Sequence, residues 1–399
     1  MSDSKILEIA GRPLRIGVDA RALCRPTDGI GRYLREILRH VAKIQHEWIL
    51  YTPTRTDAII DLPNVTIKGA HRRGMNRVVQ QVWVQSVLPV CAFRDNVDVF
   101  WGPSHRLPIG LPRSIATVVT IHDLVWRHAP ETMARFAHTM ERLLMPAAIR
   151  RADRILAVSS HTAKDIGTEY PSASGKLMVT PLAATVVGDC GEDVNHSRPF
   201  GHRYALFVGT LEPRKNLRRL IQAFSLIQPR LHFPMKLVIA GAKGWGGVEL
   251  EGMIKKLGLE GEIVLMGRVD DSKLFSLYRH AEMLIMPSLY EGFGLPAVEA
   301  MNAGTPVIGS NLASLPEVIG RGGLYVNPFS VESIADRILE LANDERLRAA
   351  LAKAAKDQAR RFSWDRTGML TLRAINSAWM TRRGLKVQAR GIGEKDGYR

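Results

Sequence analysis

Cysteine is scarce: Cys24, Cys91 and Cys190 are the three in a chain of 399 residues. An odd, scattered set excludes a disulfide framework and a zinc ribbon, and it suits reduced thiols in a cytoplasmic protein. Long apolar runs are also missing. None approaches the ~18 residues a membrane helix needs. The start, Met1-Ser2-Asp3-Ser4-Lys5, lacks the basic-then-apolar layout of a secretion signal. The expected location is therefore the cytoplasm. No Asp-x-Asp occurs and no His/Cys cluster has metal spacing, so neither a metal nor another cofactor is expected.

Acid is the scarcer charge. Lys and Arg number 55 against 39 Asp and Glu, for a net charge of +16. The first 200 residues hold 26 bases and 19 acids, the remainder 29 and 20, so the excess is no basic arm. Such a surface attracts phosphates, nucleic acid or an anionic membrane face. A nucleic-acid-binding protein would explain the charge, but the sequence has no recognition helix, zinc finger or stacking platform. No nucleic-acid partner is expected.

What is present is alternation. The length suits two domains, and buried-strand patterns alternate with amphipathic helices from end to end. Residues 14–19 read as a first parallel strand. A glycine-bearing loop through Gly29 and Gly31 follows, then a helix with Tyr33, Leu34, Ile37, Leu38 and Val41 on one face. Strand, glycine loop and helix open a doubly wound α/β domain. The dinucleotide fingerprint is incomplete, since Leu34 stands where its third glycine would fall, which argues against a nicotinamide-dependent oxidoreductase. Further strands are expected at 47–51, 64–68, 97–101, 115–121 and 154–158. A second doubly wound unit begins at 204–208 and continues at 236–240, 262–266, 281–286, 305–309 and 322–326. A polar stretch, 188–202, reads as the linker. The predicted domains are 1–190 and 203–364, with a last helix from about 365 returning to the first domain. Residues 382–399 read as a frayed end.

The chain is organised around Glu291-Gly292-Phe293-Gly294-Leu295-Pro296-Ala297-Val298-Glu299, between two buried strands. Pro296 suits the first position of a helix. The backbone N–H groups of Phe293, Gly294 and Leu295 then lie at a helix N-terminus, where anions bind. Acids on both flanks suit a ligand that carries hydroxyls as well as phosphates, because carboxylates accept hydrogen bonds from a diol. A nucleotide-sugar carries both. Upstream, Gly209-Thr210-Leu211-Glu212-Pro213-Arg214-Lys215-Asn216 joins a strand to a helix. Gly209, with adjacent Arg214 and Lys215, suits a diphosphate: arginine grips two oxygens and lysine adds a point charge. His122 lies just past a strand's C-terminal end, where open α/β sheets bind ligands. Residues 71–88, a basic stretch followed by an apolar, helix-like run through Leu88, combine basic and aromatic side chains that suit a headgroup layer.

These motifs resemble those of the retaining family 4 glycosyltransferases, whose acid-flanked loop has the form E-x7-E. The resemblance implies the GT-B fold: α/β, two doubly wound Rossmann-like domains facing each other across a cleft, the first for the acceptor and the second for a nucleotide-sugar donor. It implies that Gly31, and less directly Gly29, brings an N–H to the donor phosphate, and that His122 touches the transferred sugar. It places the base against Arg268 and Val269, the diphosphate on Arg214 and Lys215, sugar hydroxyls on Glu291 and the ribose diol on Glu299. Thr210 stands where many relatives carry a further arginine. The stretches Asp19-Ala20-Arg21, Gly29-Ile30-Gly31-Arg32-Tyr33 and Pro213-Arg214-Lys215-Asn216 are similar to those of bacterial mannosyltransferases of polysaccharide assembly. That implies transfer of mannose from GDP-mannose to a lipid-linked or oligosaccharide acceptor, at the cytoplasmic face of an inner membrane. A UDP-hexose donor is the alternative.

Overall fold

The computed structural model describes residues 9–24, 29–42, 46–54, 62–69, 77–185, 200–246 and 249–385. Seven strands form the first sheet: β1 (Arg15–Asp19), β2 (Glu47–Thr52), β3 (Val65–Gly69), β4 (Val99–Gly102), β5 (Ala116–Ile121), β6 (Arg154–Ala157) and β7 (Leu177–Val179). Six form the second: β8 (Arg203–Val208), β9 (Met235–Ala240), β10 (Ile263–Gly267), β11 (Met283–Met286), β12 (Val307–Ser310) and β13 (Gly323–Val326). Every pairing in both sheets is parallel. Parallel strands are covered by helices on both faces and therefore read as continuous apolar runs. In β5, Ala-Thr-Val-Val-Thr-Ile, every residue is buried.

The strand orders are β3-β2-β1-β4-β5-β6-β7 and β10-β9-β8-β11-β12-β13. Each sheet reverses direction of growth beside its first strand, between β1 and β4 in one and between β8 and β11 in the other. At such a switch point the loops leaving the strands' C-terminal ends diverge and open a crevice. Topology thus brings the loop after β8, with Arg214 and Lys215, next to the loop after β11, with Glu291. These segments are 76 residues apart in the chain.

The helix Trp364–Arg382 packs back on the first sheet. Its Trp364 Nε1 donates to Ala184 O at 3.0 Å, and Arg382 pairs with Asp153 at 2.6 Å. Both contacts hold the chain's last described helix against loops of the first domain, 180 and 229 residues earlier.

Three local details differ from the sequence reading. Strand β7 was not expected; three half-buried residues at a sheet edge carry too short a pattern. The helix expected to end near Leu88 runs from Arg77 to Arg94 with Pro89 inside it, because packing of Val84, Leu88 and Ala92 on the core outweighs one lost backbone bond. The helix after Gly294 begins at Leu295, so Pro296 takes its second position. The basic stretch 71–76, most of the predicted linker and the end of the chain from 386 lie outside the described residues.

Candidate active site

The loop after β8 makes one turn of 3₁₀ helix, Pro213–Lys215, and ends on Asn216 in the left-handed region, φ 60°. Asn216 tolerates that conformation because its side chain is fully engaged. Nδ2 donates to Pro287 O at 3.0 Å and to Pro328 O at 2.6 Å. The turn is thereby tied to the loop after β11, and the cations it carries have fixed positions. Gly209 lies beside them: a Cβ there would sit 3.4 Å from Lys215 Cε.

Four charges then interlock. Lys215 Nζ donates to Glu291 Oε1 at 2.6 Å, and Arg214 Nη1 to Glu291 Oε2 at 2.7 Å. Arg214 also donates to Glu212 Oε1 at 2.6 Å and to Tyr290 O at 2.7 Å. Glu212, Lys215 and Glu291 are all buried. Burial alone would raise the Glu291 carboxyl, but Arg214 and Lys215 outweigh it and hold it down at about 2. Burial works against the Arg214 charge as well, and Glu291 and Glu212 more than compensate, raising its pKa. The cluster is electrically balanced, two cations against two carboxylates. A dianionic diphosphate entering it competes with Glu291 for both cations.

Gly294, at φ +98°, caps the helix Leu295–Ala303, and no side chain caps that end. The Phe293 ring meets Phe362 edge-on at 5.5 Å, while its carbonyl accepts from Ser314 Oγ at 3.0 Å. The N–H groups of Phe293, Gly294 and Leu295 are thus set at the mouth of the helix by a buried anchor. Gly292 is required for a different reason: a Cβ there would lie 1.7 Å from the His122 carbonyl oxygen. The two sheets' loops approach closely here, and the Gly292 carbonyl accepts from Ser159 Oγ at 2.7 Å and Thr162 Oγ1 at 3.1 Å.

His122 completes the opposite wall. Its Nε2 lies 2.8 Å from Pro103 O. A carbonyl only accepts, so Nε2 carries the proton and Nδ1 is left as an acceptor. The ring meets Tyr33 edge-on at 4.9 Å. Burial lowers its pKa to about 3, and nearby His105 adds to the shift. His122 is therefore a neutral hydrogen-bonding group at physiological pH. Gly29 and Gly31 lie in the first turn of the helix Gly29–Val41, with Gly31 buried.

Glu299 is not adjacent to Glu291's cations. It lies one helix turn further in, where Arg32 Nη1 donates to its Oε1 at 2.7 Å and Tyr278 OH to its Oε2 at 2.9 Å. Arg32 also pairs with Asp271. Burial raises the Glu299 pKa against the pull of Arg32 and Tyr278. Arg268 is exposed and Val269 half-buried, in the turn between β10 and the helix Asp271–His280. The geometry thus gathers His122, Arg214, Lys215, Glu291 and the Phe293–Leu295 amides, with Glu299, Arg268 and Val269 further along the second sheet's edge.

Sequence reasoning missed the residues that bridge the cleft. Arg32 joins the first helix to Glu299. Tyr290 OH donates to Asp165 Oδ2 at 2.6 Å, and its ring stacks on His128 at 5.4 Å. Glu317 accepts from the Ser160 and His161 N–H groups at 2.9 and 3.1 Å. Tyr290 directly precedes Glu291, and that adjacency was the one available signal. The others contact partners more than 100 residues away.

Two parallel sheets, each with a switch point beside its first strand, define a glycosyltransferase of the GT-B type by fold. Residues 27–184 match the family described as Glycosyltransferase Family 4, and residues 193–358 match Glycosyl transferases group 1. The chain is 31% identical over 372 residues to the O-antigen chain mannosyltransferase B of Escherichia coli, covering 88% of this chain and 96% of that protein. It is 33% identical over 296 residues to the E. coli serotype-specific mannosyltransferase WbdA, spanning 36% of that longer protein's length. Among solved structures, sucrose-phosphate synthase from Thermosynechococcus elongatus superposes with a TM-score of 0.72 at 19% identity, over 90% of this chain and 98% of the other. The chain belongs to the family 4, group 1 glycosyltransferases. A fold shared by a sucrose-phosphate synthase and O-antigen mannosyltransferases does not by itself select the donor. Among the described residues, no helix is long and apolar enough to cross a membrane.

Proposed function

We propose that this glycosyltransferase moves mannose from GDP-mannose, with retention of anomeric configuration, onto a lipid-linked or oligosaccharide acceptor of a cell-surface polysaccharide. The observation that carries the reading is the Arg214–Lys215–Glu291 cluster at the second switch point, in a chain that matches an O-antigen mannosyltransferase over nearly its whole length. Departure of the nucleoside diphosphate builds negative charge, and Arg214, Lys215 and the amides of Phe293, Gly294 and Leu295 are aimed where that charge develops. Fixed donors of this kind are each worth about 3–4 kcal/mol in the transition state. Glu291 turns to hydroxyls of the transferred sugar once phosphate takes over its cations. Glu299 takes the ribose diol, Arg268 and Val269 flank the base, and Gly31 and Gly209 let the backbone come close to the phosphates. His122 accepts a sugar hydroxyl through Nδ1. The acceptor attacks on the face the diphosphate leaves, and a phosphate oxygen receives its proton. Arg and Lys supply the charge neutralisation, so no metal is required.

The acceptor's lipid would place the first domain against a membrane. Val79, Val82, Val90 and Phe93 are exposed on one face of the helix Arg77–Arg94, and Phe136 and Leu143 are exposed on the helix Arg135–Arg151. Apolar side chains on a basic protein suit an anionic interface.

A thermal-shift screen of GDP, UDP, ADP and NAD tests the donor. Selective stabilisation by GDP, followed by mannose transfer from GDP-mannose, is the expected result. Selective stabilisation by UDP would replace mannose with a UDP-hexose, and a response to none of the four would overturn the site.

A further inference from the structure

Next to His122, whose ring lies 5.3 Å from that of His105, is a cavity of about 180 Å³. Its polar lining is Arg21, Gln81, Ser104, His105, Arg106 and Glu141, from the loops after β1 and β4 and from two helices, and Ala22 and Ile30 give it an apolar side. Its polar groups are incompletely partnered among the described residues. Arg106 Nη2 donates to Glu141 Oε1 at 2.5 Å, yet Arg106 Nε has no partner. His105 is 8% exposed, and its Nδ1 lies 3.5 Å from Glu141 Oε2 while its Nε2 has no partner. Gln81 Oε1 is likewise buried and unpaired. Leaving a buried polar atom unpaired costs about 1–3 kcal/mol. Three around one cavity mark a site built for a ligand. His105 also has a positive φ of +66°, uncommon for a residue other than glycine.

The unpaired set defines the ligand's chemistry. Arg106 Nε can only donate and Gln81 Oε1 can only accept, while the free His105 nitrogen serves either role according to its proton. A phosphate offers acceptors alone and would meet Gln81 and Glu141 unfavourably. A cation would meet Arg106 and Arg21. A hydroxyl both donates and accepts, and a pair of hydroxyls on one ring matches the set. The cavity has room for one sugar ring and not for a nucleotide. His105 and His122 lie ring to ring at 5.3 Å, so a ligand here is one side chain away from the transferred hexose.

We propose that this cavity is the acceptor subsite, in which Gln81, His105, Arg106 and Glu141 hold hydroxyls of the acceptor's terminal sugar. The inference rests on the glycosyl-transfer reading and adds the residues that choose the acceptor. Donors and acceptors both face the cavity, so the subsite selects a ring presenting adjacent hydroxyls.

The test compares wild type with Gln81→Ala, at a half-buried helix position that tolerates alanine, and with Glu141→Gln. Acceptor KM is expected to rise about tenfold or more in each, as for a lost hydrogen bond to a buried group, with donor KM changing less than twofold. Saturation-transfer NMR with methyl α-D-mannopyranoside is expected to show contact in wild type and its loss in Gln81→Ala, with inorganic phosphate failing to displace the glycoside. Unchanged acceptor KM in both folded variants, a mannoside signal indifferent to Gln81, or displacement by phosphate would each overturn the subsite. If wild type transfers hexose from no nucleotide-sugar, the functional reading fails, and the NMR comparison still decides whether the cavity holds a sugar.

Discussion

Replacing Glu291 by glutamine is expected to tighten binding of the nucleoside diphosphate while stopping transfer. The amide keeps the side chain's shape and removes one negative charge from the balanced set of Glu212, Arg214, Lys215 and Glu291. Glu291 lies 2.6 Å from the Lys215 ammonium. A phosphate touching that ammonium's other side would sit about 5 Å from the carboxylate, two contact lengths away. Unit charges at that separation repel by about 3 kcal/mol at an effective dielectric of ~20. Water and salt in an open cleft reduce this to about 1–2 kcal/mol, roughly a tenfold gain in affinity for GDP. Without ligand, the same change leaves two buried cations facing one carboxylate, which costs about 3–5 kcal/mol. Melting of the free protein should therefore fall, and GDP should restore more of it than in wild type. Turnover is expected to drop about 100-fold or more, since the sugar loses its charged hydroxyl acceptor at the moment the glycosidic bond breaks. Isothermal titration with GDP and steady-state rates with GDP-mannose measure the two halves. Weaker GDP binding by Glu291→Gln, or transfer near the wild-type rate, would refute the electrostatic account.

Other consequences are independent of that one. His122 is held near 3 in the folded protein, whereas an unfolded imidazole takes a proton near 6.5, so stability present above pH 6.5 is lost as pH falls toward 3. His122→Gln, which keeps a donor for Pro103 O, should flatten the decline in unfolding free energy between pH 7 and pH 5 in urea titrations; an unaltered slope contradicts the assignment. Arg32→Ala removes the ion pairs to Glu299 and Asp271 that span the cleft, so the radius of gyration from small-angle scattering should increase without ligand and contract on adding nucleotide-sugar. No change in either state would show that Arg32 does not bridge the domains in solution. Transfer should survive EDTA, and loss of activity restored by a divalent ion would mean that Arg214 and Lys215 do not suffice. Val82→Glu should weaken sedimentation with phosphatidylglycerol vesicles several-fold; equal sedimentation would remove the helix Arg77–Arg94 as the membrane face.

Much of the architecture was legible because parallel strands buried on both faces leave a strong imprint. Twelve of the strand patterns have counterparts in the two sheets, and the thirteenth, β7, is three residues at an edge where burial is incomplete. The helix past Pro89 was misjudged because local propensity was given more weight than the core contacts of Val84, Leu88 and Ala92. At the site, the amides after Gly292 and the paired cations could be recognised from glycine, proline and charge at a strand-to-helix junction. Their mutual neutralisation could not, since it depends on the distance between loops 76 residues apart.

By itself, the sequence determined two doubly wound units, the loops that carry charge and the chemistry those loops suit, because residue type and period act over a few neighbouring positions. Tertiary structure alone decided which charges meet. It gave Glu291 to Lys215 and Arg214, gave Glu299 to Arg32, set Gly292 against the His122 carbonyl and left His105 facing a cavity with one nitrogen unpaired. Each of these follows from strand order at the switch points and from the packing of one sheet's loops on the other's, and neither is written in any local stretch of the chain.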